Sequence, residues 1–98
     1  MNFKQTHINL GDLKVGKTKN IIFYPEEKET LEEIVSMSSS CGCSTPKIEN
    51  DKIIVTYTPG SVPLHLQHLG QYETKKTITI NYKYGSSEIL SFSAIIKR

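Results

Sequence analysis

The sequence predicts an all-β fold, an antiparallel sandwich of about seven strands, and three observations carry that reading. First, Ile, Thr, Val and Tyr are prominent, with no excess of Ala or Leu, which suits strands better than helices. Second, apolar residues recur at alternate positions in the second half of the chain: Ile53, Val55 and Tyr57, then Ile78, Ile80, Tyr82 and Tyr84, then Leu90, Phe92, Ala94 and Ile96. A period of two is that of a strand with one buried face. Third, turn signals fall at short intervals, including Asn50-Asp51, Pro59-Gly60 and Gly85-Ser86-Ser87. Short strands so punctuated argue for two facing sheets in an immunoglobulin-like layout.

Length and charge bound what such a sandwich can do. The 98 residues are read as a single domain, 1–98. A domain of this size buries roughly two-thirds of its unfolded surface, enough for one core. The net charge of +2, with lysines and acids interspersed, lacks the clustered basic footprint of a nucleic-acid binder. No run approaches the ~18 apolar residues of a membrane span. Residues 1–5 show no apolar signal segment, so synthesis and folding in a cytoplasm are expected. Two cysteines do not make a disulfide framework.

Taken in order, residues 3–10 alternate loosely and predict an edge strand. Gly11 and Gly16 bound a turn-rich connection. Residues 18–24 form a β run stopped by Pro25. The charged run 26–29 reads as a solvated loop. In residues 30–38, Thr30 and Glu33 resemble a capping box, but Leu31, Ile34, Val35 and Met37 fit neither period cleanly, and a strand is preferred to a short helix. Asn50-Asp51 predicts a tight turn within a hairpin over 47–58, because short polar side chains tolerate left-handed backbone angles. Residues 74–84 and 88–97 predict a closing hairpin.

The densest run of small residues, Ser38 to Pro46, holds both cysteines and forms a corner between strands. Within it, Ser40-Cys41-Gly42-Cys43 and Pro46 are the signature. Together with the Gly11–Gly16 opening, Ile21-Ile22-Phe23, residues 54–59, Gly70 before a tyrosine, and Ser93-Ala94-Ile95-Ile96, the chain resembles a bacterial family of unknown function marked by a Ser-Cys-Gly-Cys motif. That family is similar to the ASH (Hydin-like) immunoglobulin-type domains. The resemblance spans roughly residues 8–96 and implies a sandwich and a scaffold or adhesion role. It implies no reaction.

The chemistry candidates each have a plainer rival. In an extended segment Cys41 and Cys43 would point to one face, so two thiolates could grip a soft metal or exchange electrons. A disulfide across two residues is disfavoured on geometry. Structural zinc wants four ligands, and His7, His65 and His68 do not complete a finger-like set. The preferred reading is structural, with Gly42 supplying a backbone angle that other residues resist. Gly16-Lys17-Thr18 copies only the end of a phosphate loop. No Gly-x-Ser-x-Gly elbow occurs. No catalytic residue, cofactor or metal is assigned. Tyr57, Tyr72, Tyr82 and Tyr84 read as packing residues.

A non-enzymatic structural or interaction protein is therefore expected. Its specific form is an auxiliary, or decoration, protein on a bacteriophage capsid, made in the host cytoplasm and carried in the virion. The alternative location is a bacterial cytoplasm. The partner would be a major capsid protein or another component of a large assembly, with neither nucleic acid nor membrane. The long irregular segment 61–72 supplies the candidate contacts Val62, Leu64, His65, Leu66, His68 and Leu69, together with the chain ends. Folding back onto the core is the rival reading of that segment. The alternative function is a thiol-based metal-binding or redox module at the Cys-Gly-Cys corner.

Overall fold

The computed structural model describes residues 2–60 and 70–97. Seven strands occur among them: β1 (His7–Lys14), β2 (Lys19–Phe23), β3 (Ile34–Ser39), β4 (Ser44–Glu49), β5 (Lys52–Tyr57), β6 (Gln71–Tyr82) and β7 (Ser87–Lys97). They form a four-stranded sheet in the order β1-β7-β6-β3 and a three-stranded sheet in the order β2-β5-β4. All pairs are antiparallel except β1 with β7, which run parallel. The molecule is an all-β sandwich, as its alternating pattern predicts.

The alternation becomes the core directly. Ile53, Val55 and Tyr57 of β5 face Ile78, Ile80 and Tyr82 of β6 and Leu90, Phe92, Ala94 and Ile96 of β7, all buried. Ile21 and Phe23 complete the inner face of β2. The Tyr57 and Phe92 rings meet tilted, with centroids 5.1 Å apart, a geometry that favours edge-to-face contact. The β4–β5 connection is the two-residue turn that Asn50-Asp51 predicts. Both residues have positive φ, 51° and 61°, and Glu49 pairs with Lys52. Such a turn matches the twist of the strands it joins.

Several expectations need correction. Residues 11–14 are strand, not connection: β1 runs through Gly11 and changes register between Asn9 and Asp12. Gly11 takes φ 73° there, and its N–H is held by the Asn9 side chain at 2.9 Å. This is a bulge, which breaks the period that sequence reading relies on. The edge strand begins at His7, not at residue 3. Phe3 instead forms an isolated bridge to Pro25 and is itself core.

Residues 28–33 form a 3₁₀ helix, Lys28–Glu33, that buries Leu31, and β3 starts only at Ile34. The capping box is not formed: the N-cap is Glu27, without a side-chain cap. A register shift between Ile34 and Ser36 explains the mixed period. Ile34 and Met37 pack on the core, while Val35 is thrown outward. Tyr84 lies beyond the end of β6 and is exposed, stacked on Tyr82 with ring planes 3° apart.

Candidate functional site

The corner is built by the four residues that carry the chain from β3 in one sheet to β4 in the other. Each side is anchored by backbone hydrogen bonds. On the β6 side, Ser40 N–H donates to the Thr77 carbonyl at 2.9 Å, and Thr77 N–H donates to Ser40 Oγ at 3.0 Å. On the β5 side, Thr58 N–H donates to the Cys43 carbonyl at 3.0 Å. Between these anchors, Ser39 Oγ donates to the Cys41 carbonyl at 2.7 Å and accepts the Cys41 N–H at 3.2 Å. Ser39 Oγ also meets the hydroxyl of buried Ser44. A serine has one hydroxyl proton, so Ser44 must donate in that contact.

Cys41 and Cys43 are joined by a disulfide, against the expectation of two separate thiols. The corner is a turn rather than an extended segment, which brings the two Cα atoms to 5.3 Å, inside the range that a disulfide spans. While the bond stands, neither sulfur is a thiolate that could ligate a metal. No cluster of three or more metal-capable side chains occurs among the described residues. The bond closes a ring of three residues, so it removes little freedom from the unfolded chain, worth roughly 1.6 kcal/mol. The Cys43 N–H donates to Cys41 Sγ at 3.3 Å. Cys43 packs against the core; both cysteines are half-buried.

Gly42 does not play the role assigned to it. Its φ is not in the left-handed region, and a Cβ there would meet nothing within 4 Å. Pro46 does not end the corner but sits inside β4, opposite Val55. That strand is an edge, where a missing N–H is tolerated.

His7 lies on the outer face of β1 and bonds Ser91 Oγ at 2.7 Å and Ser93 Oγ at 3.2 Å. It therefore has a structural partner set. Tyr57 and Tyr82 are core, and Tyr72 packs against it. The Tyr82 hydroxyl donates to Glu88 Oε1 at 2.8 Å, and the Asn2 N–H donates to Glu88 Oε2 at 3.2 Å. Burial, with the Glu88 carboxylate adding to it, pushes the Tyr82 phenol up to about 12. The candidate contacts Val62, Leu64, His65, Leu66, His68 and Leu69 lie outside the described residues, as do Met1 and Arg98.

A second surface was missed in sequence. Among the described residues, five large apolar side chains are exposed: Tyr24, Val35, Ile48, Tyr84 and Ile89. Ile34 pairs with Tyr82, Ile89 with Thr79, Ile48 with Ile53, and Phe23 also with Ile53. Tyr24, Val35, Ile48 and Tyr84 lie toward the end where β3 and β5 begin, whereas Ile89 stands level with Ser38 through Thr79, two residues before the corner, and on the outer face opposite to that of Tyr24. The signal was faint because each residue stands singly in its own strand or turn.

No family model matches the chain, and no curated protein matches it. Among solved structures, an endo-fucoidan hydrolase of glycoside hydrolase family 107 is similar, with a TM-score of 0.59 at 12% identity. That match covers 97% of this chain and 13% of the hydrolase. A mutant of the SrpA adhesin from Streptococcus sanguinis is similar with a TM-score of 0.52 at 10% identity, covering 88% of this chain and 54% of the adhesin. This chain thus spans a small part of one protein and about half of the other. At such identities the likeness concerns the fold.

Proposed function

We propose that the protein is a non-enzymatic docking module that adds to a large protein assembly, as an auxiliary protein bound to a bacteriophage capsid. The observation that supports the docking role is the exposure of Tyr24, Val35, Ile48, Tyr84 and Ile89 on an elongated body measuring 47 × 22 × 18 Å, four of them toward the end where β3 and β5 begin. Large apolar side chains left exposed near one another, as Val35 and Tyr84 are beside the Ile34–Tyr82 pair, are what a protein partner covers. The supporting frame is well packed. The core is continuous across both sheets, and among the described residues every buried side-chain polar atom has a hydrogen-bond partner. Such a body binds by shape and apolar contact, with little ordering cost. A capsid presents repeated, fixed surfaces to which many copies of a small sandwich can attach.

The test is quantitative protein analysis of purified particles. The chain should be present at a fixed ratio to the major capsid protein; its absence sinks the capsid assignment. Rebinding then locates the contact. A Tyr84→Ser, Ile89→Ser double variant should keep its fold and lose attachment. A Leu64→Ser, Leu66→Ser variant that alone loses attachment would move the contact to the segment originally expected.

A further inference from the structure

We propose that the Cys41–Cys43 disulfide is an exchangeable redox site that takes a small thiol, with Cys41 the sulfur that forms the mixed disulfide and Cys43 the one that resolves it. Its position distinguishes it from a staple. A bond that stabilises a sandwich joins distant parts of the chain, whereas this one closes a ring within a single corner. The corner is already held without it, by Ser40 to Thr77 on one side and by Thr58 to Cys43 on the other. Ser39 and Ser44 add a third tie. Opening the bond therefore leaves both sheets in place.

The two sulfurs are not equivalent. Cys43 belongs to the residues packed against the core, and Cys41 does not. The Cys43 N–H is aimed at Cys41 Sγ, and a hydrogen bond to a sulfur favours its thiolate form. Cys41 is thus both the outer sulfur and the better stabilised anion. In the oxidising direction, the Cys41 thiolate attacks a small disulfide RSSR. The Cys41–SR bond forms, the RS–SR bond breaks, and one RS⁻ leaves with the electron pair. Cys43, deprotonated, then attacks Cys41 Sγ and expels the second RS⁻. The two protons released by the cysteines end on two RSH. The balance is protein dithiol plus RSSR giving protein disulfide plus two RSH, and reduction by a small thiol is the same path reversed.

The site is tested with glutathione buffers spanning fully oxidised to fully reduced, followed by acid quench, alkylation and intact mass. The disulfide should convert to dithiol through a midpoint within that span, with the reduced chain keeping its far- and near-UV circular dichroism. Among single variants treated with oxidised glutathione, Cys43→Ser should acquire one glutathione on Cys41 about tenfold faster than Cys41→Ser acquires it on Cys43, as thiolate character and access dictate. A bond that stays intact in fully reduced glutathione overturns the proposal. So does a reduced chain that unfolds, or equal rates in the two variants. None of these outcomes bears on attachment to particles, so the docking assignment stands or falls separately.

Discussion

The β6–β7 hairpin and the cysteine corner are stabilised by different physics. The hairpin is held by apolar burial: inward residues at every second position fill the space between the sheets. The corner is held by hydrogen bonds among short side chains and backbone groups, and its bond closes three residues. The hairpin decides whether the chain folds. The corner links one sheet to the other and carries the disulfide, with little share in the core. The redox exchange proposed above would therefore change the corner without loss of the fold.

The sharpest way to break that contrast is to cut into the hairpin. Phe92 is fully buried against Tyr57, so Phe92→Ala should lose about 3–5 kcal/mol in urea unfolding. A loss under about 1 kcal/mol would mean that the core is not what holds the sandwich.

The hairpin also sets an alkaline limit. Tyr82 titrates at about 12 in the folded chain, against about 10 when unfolded. Between those values the folded state binds the extra proton, so stability is fully present below pH ~10 and is lost as pH rises through ~12. Tyr57, raised by burial, acts in the same direction. Tyr82→Phe should flatten the decline when melting temperature is followed from pH 9 upward, leaving only the smaller Tyr57 contribution.

At the corner the expected effects are smaller. Ser44→Ala removes the contact with Ser39 and should cost about 1 kcal/mol in denaturant midpoint. Gly42→Ala meets open space and needs no left-handed backbone, so it should stay within about 0.5 kcal/mol of the wild type. A large loss there would restore a conformational role to that glycine.

How much was legible in the sequence follows the same division. The alternation of Ile53 to Tyr57, Ile78 to Tyr82 and Leu90 to Ile96 gave strand, face and core together, because burial on one side of a sheet forces a period of two. Asn50-Asp51 announced its turn through backbone tolerance. The misreadings fell where a local irregularity cancels the period: the bulge at Gly11, the register shift beside Val35, and the 3₁₀ helix that hides Leu31. The pairing of Cys41 with Cys43 was hidden because it depends on the bend of the corner, which spacing alone does not encode. The exposed Tyr24, Val35, Ile48, Tyr84 and Ile89 were hidden because each stands singly in its own strand or turn.

The central claim is that the fold rests on the sheets and not on the corner. It is tested most directly by urea unfolding of the oxidised and the reduced chain side by side. The account predicts one cooperative transition in both, with equal slopes and a stability difference no larger than the roughly 1.6 kcal/mol of a three-residue ring. A reduced chain with no transition, or with a clearly shallower slope, would contradict it.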